Sequence, residues 1–419
     1  MASISGNKPN FQTTATQNNY LVPFILVTSL FFLWGFAISM LDVLNKHFQE
    51  TLSLTISQST WVQIVTYGAY FLMALPAGMF MKKWGYKKGI LAGLLLYSGG
   101  AFLVYPASEA QSWTFFLISL FILACGLAFL ETAANPYATV LGPAESSERR
   151  LNLAQSFNGL GVIIGPLVGS MLVFSEHKQS IEEGFKSVQL PYMIVGGAVL
   201  LIALMFLRTP MPEIQESASA AEDMGADNTS FGRSLSGLFR HKHFVLGAFA
   251  QFLNVGVQGC VWGLFINFVM DAIKVSNIDA SRWLSLGMII FMVGRFAGTF
   301  LMRYIKPNIL LGIYSLGIVA SLLVASQAKG QIAVNALMAF FFFQSITFPT
   351  IFSLGVKDLG KYTKLGSSFI IMGIVGGAAF PPIMGAIADS TDIATSLLLP
   401  VAMFAYIAWY GFSGSKVSR

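Results

Sequence analysis

The chain has 419 residues, of which 55% are hydrophobic and only 11% charged, and its net charge is +6. Soluble domains carry about 25% charged residues, so the polar surface is too small to cover a globule of this size and a soluble fold is excluded. The positive balance then reads as basic loops on one side of a bilayer, not as a nucleic-acid surface.

Residues 1–20 form a polar tail, and the first 19 lack the apolar core of a signal peptide. Apolar runs of roughly 20 residues, the length that crosses a bilayer, follow at about 21–48, 58–81, 88–107, 112–141, 149–175 and 190–208. Residues 209–241 are rich in Ser, Ala and acids and read as a cytoplasmic linker. Six more runs follow at about 242–270, 280–304, 308–327, 331–357, 363–389 and 394–413, before a short tail at 414–419. The predicted class is an all-α membrane protein of twelve transmembrane helices in two six-helix halves, residues 21–208 and 242–413. With both termini inside, 18 of the 25 Lys and Arg fall in the termini and cytoplasmic loops, six fall outside, and Arg295 lies within a span. That bias places both termini in the cytoplasm.

The halves repeat weakly. Helix 4 carries NPYATVLG and helix 10 carries FPTIFSLG, with Pro136 and Pro349 at an offset of 213. Phe157 in SFNGLGVIIGPLVG and Phe369 in SFIIMGIVGGAAFPPIMG are 212 apart. A shared offset means a duplicated six-helix unit, and two parallel halves with a site between them is a known transporter plan.

Two carboxylates interrupt the apolar runs: Asp42 in FFLWGFAISMLDVL and Glu131 in FILACGLAFLETAANPYATVL. A charge in hydrocarbon costs a few kcal/mol, so such residues face polar cavities and mark ion or proton pathways. A proton carrier needs a group whose charge state differs between exposed and occluded environments. Spans also carry amides: Asn135 on helix 4, Gln155 and Asn158 three apart on helix 5, and Asn254 and Gln258 on helix 7. Amides present donors and an acceptor to sugar hydroxyls, and they also glue helices together; Gln344 on helix 10 fits either role equally. Trp34 lies eight residues before Asp42, about two turns, so the two share a helix face to within about 80°. Trp34, Trp262 and Tyr67 are candidates to stack on a sugar ring, against the alternative of packing or an interfacial belt. Cys125 and Cys260 lie in apolar runs, so no disulfide is expected. Metal-ligand spacing, a P-loop and a nucleophile elbow are absent from the sequence, so neither an enzyme, a cofactor nor a metal is expected.

Between helices 2 and 3 stands GMFMKKWGYKKG, with Gly78, Lys82 and Lys83; its equivalent between helices 8 and 9 is GRFAGTFLMRYIKP, with Arg295 and Arg303. A small residue lets two helices approach, and basic side chains there can meet helix C-termini when the outward state closes. This pair resembles the loop motif of the major facilitator superfamily. The block LETAANPYATVLGPAESSERRLNLAQSFNGLG is longer and more specific. With FFLWGFA, PAGMFMKKWGYKKG, PYMI and FPTIFSLGVKDLG, it is similar to the fucose–galactose–glucose:proton symporter family over nearly the whole chain. The resemblance implies proton-coupled monosaccharide import across a bacterial inner membrane by alternating access, by a monomer without nucleic-acid partners. It also implies that the acid before TAANP, Glu131, and the acid of helix 1, Asp42, are the protonatable residues.

The sequence departs from the family's fucose transporter before the helix-1 acid. That stretch is Asn-rich there; here it reads AISML, with Ser39 as its one polar side chain. A hexose other than L-fucose is therefore the expected substrate. Sodium bound near Asp42 could replace the proton, and a drug:proton antiporter would favour a cavity poorer in amides.

Overall fold

A computed structural model describes residues 21–52, 61–173, 180–210 and 231–417; at some helical positions, 41–51 among them, it describes the backbone alone. The N-terminal half contains α1 (Leu21–Thr51), α2 (Trp61–Trp84), α3 (Tyr86–Glu109), α4 (Trp113–Val140), α5 (Ser147–Val173) and α6 (Gln189–Arg208). A short helix, Ile181–Ser187, leads into α6 from a capping box in which Ser180 and Glu183 satisfy each other's backbone N–H groups. The C-terminal half contains α7 (Lys242–Ile273), α8 (Asn277–Leu301), α9 (Pro307–Gln327), α10 (Gly330–Val356), α11 (Gly360–Ser390) and α12 (Ile393–Gly414). The stretch read as a linker ends in a helix, Phe231–Phe239, whose Leu238 is fully buried.

Among the described residues, eleven helices are long and apolar enough to cross a membrane. α5 opens SERRLNLAQSFN before its apolar stretch. Its polar residues turn inward: Asn152, Gln155 and Ser156 are all 2% exposed or less. The polar opening of α5 thus meets protein and not lipid.

Proline sets the main irregularity. α10 breaks into Gly330–Gln344 and Thr347–Val356. Pro349 has no N–H, so the Ser345 carbonyl four residues earlier loses its helical donor. α11 is interrupted likewise by a tight turn at Gly373–Val375.

The repeat survives in three dimensions. A Cβ at Gly161 on α5 would strike the Phe32 carbonyl of α1, and one at Gly373 on α11 would press on the Phe252 backbone of α7. These glycines differ by the same 212 positions as Phe157 and Phe369. In each half, therefore, the fifth helix lies backbone to backbone on the first.

The connections α2–α3, α4–α5, α8–α9 and α10–α11, with the helix ends beside them, bring 11 of the 25 Lys and Arg to one end of the bundle, here termed the basic end. There the halves share one apolar core, in which Phe352, Val356, Leu365 and Ile370 join the N-terminal half's cluster. A separate core, with Val257, Phe265, Leu322 and Phe340, fills the rest of the C-terminal half.

Candidate functional site

Glu131 lies in the second half of α4, where Gly126, Ala128, Ala133 and Ala134 let neighbouring helices close in; a Cβ at Gly126 would meet the Tyr97 backbone of α3. The Glu131 side chain is 2% exposed and its carboxyl oxygens make no hydrogen bond of full geometry. It borders a small void of about 10 Å³, room for one water-sized group, together with Leu30, Phe31, Trp34, Leu130 and Ala134. The Tyr70 phenol of α2 stands beside this carboxyl and the Trp34 indole beside the phenol. Trp34 Nε1, the Tyr70 hydroxyl and the carboxyl are buried in line, close enough for indole to pair with phenol and phenol with carboxyl, though short of ideal hydrogen-bond geometry.

A line of hydrogen bonds leaves the Glu131 backbone. Asn135 Nδ2 donates to the Glu131 carbonyl at 2.9 Å, and Gln155 Nε2 donates to Asn135 Oδ1 at 3.1 Å. Arg295 Nη1, from the other half, donates to the Gln155 carbonyl at 2.6 Å. Its Nε donates to the Ser345 carbonyl at 2.8 Å, supplying the donor that Pro349 cannot. Arg295 is 5% exposed, lies over the Phe291 ring at 4.6 Å, and has no carboxylate partner among the described residues.

In the C-terminal half, Gln251, Asn254, Gln258 and Trp262 recur at helical spacing along one face of α7. Gln251 and Asn254 are buried, while Gln258 and Trp262 are partly exposed. Trp262 Nε1 donates to Gln344 Oε1 of α10 at 2.9 Å, and its ring meets Phe291 edge-on at 5.4 Å. Both amide atoms of Gln251, Asn254 Oδ1 and Gln344 Nε2 are buried without partners.

Not every expected residue joins these groups. Asn158 Nδ2 donates to the Phe31 carbonyl of α1 at 3.1 Å, so its amide ties α5 to α1. Tyr67 is 38% exposed, away from the buried face of α2. Asp42 lies on α1, but its side chain, and with it any sodium position nearby, is outside the described residues. Of the gating set, Gly78 sits at a crossing between halves, where a Cβ would meet Ser368 and the Lys364 carbonyl of α11. Lys82 donates to Ser234 of the helix Phe231–Phe239 at 3.2 Å. Lys83 and Arg303 lie over Trp84 and Phe300, rings of their own segments, at 5.2 and 5.4 Å.

The seam between halves contains residues that the motifs did not single out. Glu148 accepts from Lys357 Nζ at 2.8 Å, and Asn152 Nδ2 donates to Thr350 Oγ1 at 3.2 Å. With Gln155, they form one face of α5 running inward from the basic end. Tyr70 belongs to a buried stripe of Thr66, Ala69, Tyr70, Ala74, Ala77 and Met81. That run of small residues at helical spacing was the available signal for choosing it over Tyr67.

Residues 25–381 match the model of the Major Facilitator Superfamily. The chain belongs to that superfamily. It is 42% identical to the L-fucose-proton symporter of Escherichia coli, over 93% of this chain and 92% of that one. It is 36% identical to the glucose/galactose transporter of Brucella abortus, over 99% of both. Among solved structures, FucP, a Major Facilitator Superfamily transporter in the outward conformation, superposes with a TM-score of 0.87 at 40% identity, covering 95% of this chain and all of that one. A proton:xylose symporter superposes with a TM-score of 0.75 at 12% identity and shares the fold alone. This superfamily member is thus a multi-pass membrane protein of twelve helices in two halves.

Proposed function

We propose that the chain imports a monosaccharide together with protons by alternating access. The observation that carries this reading is Glu131: a buried carboxyl with no ion-pair partner among the described residues, beside a small void, in a chain 42% identical to a fucose-proton symporter. A protonated carboxyl donates a hydrogen bond and an ionised one only accepts, so proton loss would change what this group can offer a sugar hydroxyl. Asp42 is the second acid of the coupling pair.

The basic end is the cytoplasmic end, by the positive-inside rule, and both termini lie there. In the arrangement described, the halves are bonded at that end by Glu148–Lys357, Asn152–Thr350 and Arg295–Gln155. Sugar and proton enter from the opposite side, between Trp34, Asn135 and Gln155 of one half and Asn254, Gln258 and Trp262 of the other. Rocking of the halves about the close α1–α5 and α7–α11 pairs then opens the seam. Gly78, Lys82, Lys83, Arg295 and Arg303 form the cytoplasmic gate.

A hexose other than L-fucose is the preferred cargo. Ser39, the one polar side chain just before Asp42, donates to the Phe36 carbonyl of its own helix at 3.0 Å and packs where a Cβ at Gly165 would fall. It is committed to helix contact and does not read sugar. The test is counterflow in proteoliposomes over a panel of hexoses and L-fucose, repeated under imposed proton and sodium gradients. Proton-driven hexose accumulation supports the reading; sodium-driven accumulation without proton movement replaces the coupling ion, and drug efflux replaces the function.

A further inference from the structure

We propose that the helix Phe231–Phe239 is a strap carried by the C-terminal half. It closes over the end of α2 and holds the halves together at the basic end, with Lys82 and Ser234 as its clasp. The proposal rests on the alternating-access reading and gives the segment between the halves a part in it.

Three consecutive residues fix the helix to the C-terminal half. Leu238 is fully buried in the core shared at the basic end, and a Cβ at Gly366 of α11 would touch its side chain at 3.4 Å. Gly237 lies against Tyr362, where a Cβ would strike the phenol oxygen. The Phe239 ring meets Phe244 of α7 edge-on at 6.0 Å and Phe369 of α11 edge-on at 5.5 Å. The joint to α7 is short: only Arg240 and His241 intervene, and their N–H groups donate to the Gly237 and Leu238 carbonyls at 3.3 and 3.1 Å. His241 also packs edge-on against Tyr362 at 5.8 Å. Close-packed contacts of this kind transmit displacement, so the helix moves with its half.

The contact with the other half is different in kind. Lys82, in the last turn of α2, donates to Ser234 Oγ at 3.2 Å, and this bond is exposed. It stands one turn from Gly78, where α2 crosses α11 against Ser368 and the Lys364 carbonyl. Opening the basic end parts α2 from α11. The apolar contacts of the helix lie inside one moving body and survive that step. The Lys82–Ser234 bond spans the gap and must break. A water-exposed hydrogen bond contributes little net free energy, so the clasp biases the protein toward the form closed at the basic end and still releases once per cycle.

The test is sugar counterflow in proteoliposomes with two cysteine pairs, each in a background of Cys125→Ala and Cys260→Ala and each bridged by a short thiol reagent that reduction reverses. Lys82→Cys with Ser234→Cys spans the halves, and Phe239→Cys with Phe369→Cys lies within one. Bridging the first pair should lower the counterflow rate at least about 10-fold, because the form open at the basic end is withdrawn from the cycle, and reduction should restore it. Bridging the second pair should leave the rate unchanged. Arrest by both pairs would show that the helix moves against the C-terminal half, and arrest by neither that it does not bridge the halves; either result overturns the proposal. Without any bridge, Lys82→Met should raise thiol labelling of Thr350→Cys about 2- to 10-fold, the effect of losing one exposed hydrogen bond. Unchanged labelling would also overturn the proposal. Absence of counterflow by the wild type would overturn the transport reading, and the labelling of Thr350→Cys then decides the strap by itself.

Discussion

Arg295 of α8 donates a 2.6 Å hydrogen bond to the backbone carbonyl of Gln155 on α5, so a buried cation of one half is held by the main chain of the other. The same guanidinium caps Ser345, the carbonyl left open by Pro349. One side chain thus joins the break in α10 to the amide line that ends at the Glu131 backbone. Arg295 also closes a seam along one face of α5 that begins at Glu148 and continues through Asn152.

Replacing Arg295 tests that junction. Arg295→Met leaves the Ser345 carbonyl without a donor and removes the bond that ties the Gln155 carbonyl to the other half, and hydrogen bonds to charged groups contribute about 1.5–3 kcal/mol each. Initial rates of sugar counterflow, at matched protein amounts, should fall at least about 10-fold, the equivalent of about 1.4 kcal/mol. Arg295→Lys should recover little of the loss, because a point-like ammonium cannot present the forked Nε and Nη donors to carbonyls on separate helices. Wild-type rates in the Met variant would remove Arg295 from the gate.

The Glu148–Lys357 pair should bias the protein toward the form closed at the basic end. Its carboxylate is 3% exposed and its ammonium 44% exposed, so the acid is the more costly one to strand. Lys357→Met should therefore open the basic end more than Glu148→Gln, as read by thiol labelling of a cysteine placed at Thr350. The exchange Glu148→Lys with Lys357→Glu should restore protection better than either half of it alone. Purely additive effects in that cycle would show that the two residues do not act as a pair.

Gly78 should tolerate no side chain. A Cβ there would meet Ser368 and the Lys364 carbonyl across the crossing of α2 and α11. Gly78→Val should still insert but should transport at a small fraction of the wild-type rate, with raised thiol labelling at the basic end. Normal transport would show that the crossing is loose enough to absorb a valine.

The sequence shows why some of this was legible. Twelve spans follow from length and hydropathy, and Glu131 is conspicuous because a carboxylate in an apolar run has few roles. The proline offset of 213 and the phenylalanine offset of 212 announce the repeat before any helix is placed. What stays hidden depends on register and on partners distant in sequence. Tyr67 and Tyr70 differ by three residues, and only packing against α4 separates a part-exposed ring from one buried beside Glu131. Asn158 reads as a sugar ligand until its amide is found on the Phe31 carbonyl. Lys357 looks like an ordinary loop cation until Glu148, 209 positions away, meets it. Arg295 reads as a cytoplasmic gate charge, and its buried place between two carbonyls depends on a break in another helix.

Substrate preference follows from what Ser39 does. Since it is spent on α1 and α5 contacts, the proposed reading assigns sugar recognition to Trp34, Glu131 and the amides of α4, α5 and α7. Competition against labelled hexose uptake should rank glucose, galactose, mannose or fructose above L-fucose, which lacks the hydroxyl at carbon 6. L-Fucose ranking well above every hexose would show that the polar face before Asp42 is not what sets specificity.

The central claim is that Glu131 couples sugar to protons. The most direct measurement is external pH around de-energised cells containing the protein, recorded as sugar is added, with the wild type and Glu131→Gln side by side. The account predicts sugar-induced alkalinisation by the wild type and none by Glu131→Gln, while the mutant retains sugar counterflow because Gln is nearly isosteric. Sodium-dependent uptake without a pH change, or alkalinisation undiminished in Glu131→Gln, would contradict it.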